Sequence, residues 1–165
     1  MERQVLRESL DPGFILLVDQ EDAAIRLYNV YFAESPVFAD KHFKRRFRMS
    51  RELFLRIVES ISNFNSVVIP DYFMYFRKRP DATGCQSSTI LQKCTVAIRQ
   101  MAYEKTPYLF DEHIKIGEKT AGLCLENFCQ CVFHLFARQY LRKPTAEDIA
   151  RLCNFHAQKH GLPGM

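Results

Sequence analysis

The 165-residue sequence predicts an all-α protein: about six helices in one compact bundle that includes a helix-turn-helix. Apolar residues recur at helical spacing along most of the chain, period-two runs are nearly absent, and capping residues stand where the periodic stretches begin and end. The composition, 47% apolar and 25% charged, is that of a globular chain. At this length a single body with its own core is the expectation.

The first predicted helix starts at Asp19 and carries the stripe Ala24, Ile25, Tyr28, Tyr31 and Phe32, ending before Ser35-Pro36. Residues 1–18 read as a poorly ordered arm preceding a helical domain over 19–165. A second helix starts at Ser50, with Glu52 in its first turn and Phe54, Ile57, Val58 and Ile61 at i, i+3, i+4 and i+7. From Asn63 to Gly84 no single period holds, so a loop, or at most a short strand pair between 66 and 80, is expected.

Periodicity resumes with Ile90, Leu91, Cys94, Ala97, Ile98 and Met101, a helix over about 88–103 with one buried face. Pro107 suits the first position of a short helix to about His113, and Gly117 marks a turn. A long amphipathic helix follows, with Cys124, Phe128, Cys131, Val132, Leu135 and Phe136 inward, until Arg142-Lys143-Pro144. Thr145 caps the last helix, which places Glu147 and Asp148 in its first turn, turns Ile149, Leu152 and Cys153 inward, and closes at Gly161.

Charge is unevenly distributed. Residues 1–40 carry a net −5, residues 41–80 +7 and residues 81–165 +2, for a total of +4. Lys41, Lys44, Arg45, Arg46, Arg48 and Arg51 fall within eleven residues without an acid, and Phe43 and Phe47 lie between them. Such a stretch suits a phosphate backbone; a solvated face or a nuclear-import signal is the alternative. No run approaches the length of a membrane span, and Phe14 to Val18 follows Glu8 and Asp11 in place of a basic leader, so neither membrane nor secretion is expected.

Six cysteines, at 85, 94, 124, 129, 131 and 153, include no C-x-x-C pair. Cys129 and Cys131 point to different sides of a helix, so core or half-buried thiols, with no metal and no cofactor, are expected. His156 and His160 share a helix face without the Glu of a zinc-protease motif. Asp111-Glu112 and Glu147-Asp148 are sequence neighbours near helix ends, and no catalytic constellation emerges.

Residues 94–136 have the order of a helix-turn-helix: a buried helix, a short helix, a turn holding Gly117, and a longer helix with a polar start. Glu118, Lys119 and Thr120 would then face a groove, with Lys115 near the backbone. Several blocks, Arg26-Leu-Tyr-Asn-Val-Tyr-Phe-Ala33, Phe43-Lys-Arg-Arg-Phe-Arg-Met-Ser50, Asp81-Ala-Thr-Gly84, Leu91-Gln-Lys-Cys-Thr95, Ile116-Gly-Glu-Lys-Thr120 and Pro144-Thr-Ala-Glu-Asp-Ile-Ala-Arg151, together resemble the Harbinger-type transposase-derived nucleases of plants. The resemblance spans about residues 19–165. It departs at Lys119, where the family has Ser, at Glu104, where it has Gly, and at Val67–Tyr75, an apparent insertion.

The resemblance implies a DNA-binding helical region ahead of a nuclease domain whose metal-holding carboxylates would lie beyond Met165. The expectation is therefore a non-enzymatic, nuclear, transposase-derived domain. It would contact double-stranded DNA through Lys44, Arg45, Arg46, Arg48, Lys115, Glu118, Lys119 and Thr120, and engage a Myb/SANT-like protein. The alternatives are a cytoplasmic interaction or homodimerisation module, or a degenerate transposon fragment without DNA binding.

Overall fold

A computed structural model of the chain describes residues 12–77, 87–103 and 114–161, residues 12–19 by their backbone alone. Seven helices and no strand occur among the described residues: α1 (Pro12–Tyr31), α2 (Asp40–Phe47), α3 (Arg51–Ser62), α4 (Asp71–Met74), α5 (Ile90–Tyr103), α6 (Glu118–Tyr140) and α7 (Ala146–His160). The all-α expectation holds. The chain divides into two compact units, Met1–Val132 and Phe133–Met165, where one body was expected.

The first unit is organised around α5, which packs against α1, α2 and α3. The sequence predicts one buried face for this helix, yet Gln92 through Ile98 are buried without interruption, because neighbours cover it on several sides. Met101 is the exception, about half exposed. Polar side chains caught in this burial are put to use: Gln92 Nε2 donates to the carbonyls of Gln20 and Ile114, both at 3.3 Å, and its Oε1 accepts from Thr89 N at 2.9 Å. The buried amide thus pairs its own donors and acceptor and ties α5 to α1 and to Ile114.

An aromatic cluster joins α1, α2 and α3. Phe43 and Phe47 stack with centroids 4.0 Å apart, and Phe54 meets Phe47 edge-on at 5.2 Å. Tyr31 meets Phe47 edge-on at 5.2 Å, and Phe32 stacks on Phe54 at 5.1 Å. Such pairs contribute about 0.5–1.5 kcal/mol each beyond area burial.

Several sequence expectations are corrected. α1 begins at Pro12, ahead of Asp19, and so reaches back into the segment read as an arm; residues 1–11 lie outside the described residues. Its buried stripe is Ala23, Leu27 and Tyr31, and Ile25 and Tyr28 face outward, since two neighbouring stripes are both apolar and the approach of α5 selects one. The aromatic stretch after Asn63 holds the short helix α4 in place of a strand pair as far as Arg77. The helix α2, which the charge density of its sequence hides, was not expected.

Other expectations hold. Ser50 caps α3, its Oγ accepting from Leu53 N at 3.2 Å, and Phe54, Val58 and Ile61 are buried. Thr145 and Asp148 form a reciprocal capping box on α7, and Gly161 ends it in the left-handed conformation, φ 64°. Expected inward on α7, Ile149 and Leu152 are each 51% exposed, and no residue of this helix is buried. The reason lies in the second unit itself, where two helical segments alone offer too little surface to enclose an apolar stripe.

Candidate nucleic-acid interface

Helix α2 sorts its residues by face. Phe43 and Phe47, four apart, point into the aromatic cluster with no exposed surface. Lys41, Lys44 and Arg45, at i, i+3 and i+4, are exposed together on another side. Lys44, Arg45 and Arg46 also stand in the last turn, where the negative end of the helix dipole favours cations.

The six cations of this stretch divide into those that serve the fold and those left to solvent. Arg46, expected to contact phosphate, is half-buried: its guanidinium lies 4.2 Å from the Phe38 ring centroid and donates to the Tyr31 hydroxyl. Arg51 pairs with Asp40 at 3.1 Å and donates to the Phe38 carbonyl at 3.1 Å. Both are engaged by aromatic and backbone partners, which withdraws them from the outer surface. Lys41 takes the place of Arg46 on the exposed face; its spacing to Lys44 and Arg45 is the signal that helical phasing of 40–47 would have revealed.

Arg48 caps α2 with φ 56°, its N–H reaching the Lys44 carbonyl at 2.9 Å, and its guanidinium stands 5.8 Å from the Tyr103 ring. A non-glycine residue in this region is uncommon and needs support from its surroundings. Tyr103 supplies it from the end of α5, also donating its hydroxyl to the Arg45 carbonyl at 3.3 Å.

The second group of expected residues surrounds the start of α6. Lys115 has φ 56°, and its carbonyl accepts from Gln20 Nε2 at 3.4 Å. Residues 115–117 are a non-helical stretch ahead of α6, and the Ala121 N–H reaches the Gly117 carbonyl at 2.9 Å, so α6 starts directly after Gly117. Glu118, Lys119 and Thr120 are all exposed on its first turn. The Thr120 carbonyl accepts from the Tyr75 hydroxyl at 3.2 Å. The short helix expected over 107–113 lies outside the described residues, as do Asp111-Glu112 and Asp81-Ala-Thr-Gly84.

Helix α5 anchors both groups. Gln100 Nε2 donates to the Ala121 carbonyl at 2.8 Å, and Tyr103, three residues on, holds Arg45. The last turn of α5 thus fixes the first turn of α6 and the basic end of α2. Sequence reasoning missed Gln100 and Tyr103, since neither contact follows from helical periodicity.

Beneath α6 sits a nearly dry polar cluster. Lys93 is 4% exposed; its Nζ donates to the Tyr75 carbonyl at 2.8 Å and lies 4.7 Å from the Tyr75 ring. Burial lowers its pKa. Burial also raises the thiols of Cys94, Cys124 and Cys131, the last to about 12, and Tyr75 rises by burial and by its 3.3 Å contact with Cys124 Sγ. Raised values favour the neutral thiol over the thiolate. Cys129 is exposed, against the expectation of a half-buried thiol, because its side of α6 faces solvent. Among the described residues no three His, Cys, Asp or Glu side chains are grouped to hold a metal, and no helix is long and apolar enough to cross a membrane. His156 and His160 stack with ring centroids 5.6 Å apart, His160 exposed.

Residues 24–62 match a family model described as a domain of unknown function, DUF8418. The match covers the end of α1, all of α2 and α3, and so contains the aromatic cluster and the exposed cations of α2. No curated protein and no solved structure matches the chain.

Proposed function

We propose that the chain is a non-enzymatic, transposase-derived DNA-binding domain that works in the nucleus. Lys41, Lys44 and Arg45 meet the phosphate backbone of double-stranded DNA, and the start of α6 lies toward a groove. The observation that supports this most is the division of labour on α2. Arg46 and Arg51 are engaged by partners within the fold, Arg48 caps the helix, and Lys41, Lys44 and Arg45 remain together on one exposed side. Phosphates attract such a row without regard to sequence.

The second support is the tether from α5. Glu118, Lys119 and Thr120 open α6, and the first turn of that helix is held to the same end of α5 as the cations. Side chains on the first turn of such a helix reach base edges, where Lys reads guanine and Glu accepts from cytosine. The Harbinger-type resemblance points the same way and adds a Myb/SANT-like partner as a further proposal.

Fluorescence anisotropy with a panel of duplexes tests the reading. Binding at low salt is expected, with Lys44→Ala/Arg45→Ala weakening every duplex alike and Lys119→Ala changing the order of preference among them. No binding at low salt would sink the proposal. No cleavage of DNA is expected in Mg²⁺ or Mn²⁺; activity that copurifies with the chain and falls on mutation of one of its carboxylates would contradict the non-enzymatic part.

A further inference from the structure

The second unit is unusual in what it leaves uncovered. None of its described residues is buried. Phe133 is 65% exposed, Leu141 71%, and Ile149, Leu152 and Phe155 about half. Two helical segments with this much open apolar surface bury too little to be stable alone, and open apolar patches on a folded chain mark places of association.

Charge indicates the occupant. Residues 133–165 carry five cations, Arg138, Arg142, Lys143, Arg151 and Lys159, against two acids, Glu147 and Asp148. All five cations are exposed. Asp148 is already taken: it accepts from Arg142 at 2.6 Å, from Arg151 at 3.2 Å and from the Thr145 backbone at 3.0 Å. Its carboxyl is held well below the usual range by these partners, Arg142 foremost. Lys159 extends over the Phe155 ring at 5.1 Å, so cation and apolar surface are interleaved on α7 itself.

We infer that this unit is a docking surface for an acidic amphipathic helix of a partner protein. The apolar stripe of that helix would lie over Leu152 and Phe155, and its carboxylates would face Arg151 and Lys159. The same unit of a second copy, laid face to face, would set net positive charge against net positive charge. A phosphate backbone would satisfy the cations but leave the apolar side chains wet, whereas a protein helix satisfies both at once. The inference is independent of the DNA-binding reading, which uses α2 and the start of α6.

The test uses the full chain, ¹⁵N-labelled, with a panel of synthetic acidic amphipathic peptides, Leu at helical spacing and Glu elsewhere, and with sequence-scrambled and Lys-for-Glu versions as controls. Micromolar binding of acidic peptides is expected, about the strength of a small interface. Amide shifts should be confined to residues 133–161. Leu152→Asp and Arg151→Glu/Lys159→Glu should each weaken binding at least tenfold; circular dichroism checks that helix content is kept, and if Leu152→Asp loses helix the charge-reversal pair decides. Absence of binding by every acidic peptide, equal binding by scrambled or basic peptides, or shifts centred on α2 would overturn the inference. So would stronger capture by vesicles of anionic phospholipid or by a DNA duplex that is lost with Arg151→Glu/Lys159→Glu.

Discussion

Helices α5 and α7 are close in length, 14 and 15 residues, and both show helical periodicity in sequence, yet their fates differ. α5 is enclosed so completely that Gln92, Lys93, Thr95 and Gln100 are buried with its apolar residues. α7 buries nothing, and its Ile149, Leu152 and Phe155 stay half open. Periodicity states that a helix has an apolar side; what covers that side is decided by the neighbours available. The first unit supplies three packed helices around α5. The difference predicts that mutations in the core of the first unit cost more stability than mutations on α7.

The largest expected effect follows from this. Phe47→Ala, which empties a fully buried aromatic site between Phe43, Phe54 and Tyr31, should cost about 3–5 kcal/mol, against less than about 1 kcal/mol for Ile149→Ala on α7. Chemical denaturation of both variants measures the gap, and similar losses would erase the contrast between the helices. Gln100→Ala should cost about 0.5–1.5 kcal/mol, since it removes the buried hydrogen bond to the Ala121 carbonyl at 2.8 Å.

Extremes of pH should separate the units. In the first, the thiols of Cys94, Cys124 and Cys131 and the Tyr75 hydroxyl have raised pKa values, so the stability they contribute is present below about pH 9 and is lost as pH climbs toward about 12. Lys93, lowered by burial, acts in the opposite sense, but one group opposes four. Net loss is expected between pH 9 and pH 11 or so, followed by thermal melting, and a flatter profile in the Cys94→Ala/Cys124→Ala/Cys131→Ala variant. In the second unit Asp148 has a lowered pKa, so the capping of α7 is present at neutral pH and is lost as pH falls below the ordinary carboxyl range near 3.8. Amide exchange should therefore show α7 opening first in acid. Thr145→Ala removes half of the capping box and should fray α7 by about 1 kcal/mol of local stability, read by amide exchange in its first turn.

Capping chemistry was the most legible feature of the sequence. Ser50, Thr145 with Asp148, and Gly161 all act where their residue types predict, since each depends on neighbours within four positions. Packing direction was less legible: α1 offered two adjacent apolar stripes, and only the approach of α5 distinguishes Ala23 and Leu27 from Ala24 and Tyr28. The candidate interface fell between. The basic stretch 41–51 stood out by composition, but Arg46 and Lys41 exchanged roles, because a guanidinium beside Tyr31 and Phe38 is drawn inward and that encounter is invisible along the chain. Gln100 and Tyr103, which hold the first turn of α6 and the basic end of α2, announce themselves only in three dimensions.

The exposed row on α2 is the claim on which the functional account rests, and the salt dependence of DNA binding tests it most directly. For a random 20-base-pair duplex, log K should fall linearly with log salt, at about 0.9 per phosphate neutralised. In Lys41→Ala/Lys44→Ala/Arg45→Ala, a variant whose replaced side chains are all exposed, the slope should drop by about 2–3 with helix content unchanged. An unchanged slope in that variant would place the phosphate contacts elsewhere and contradict the account.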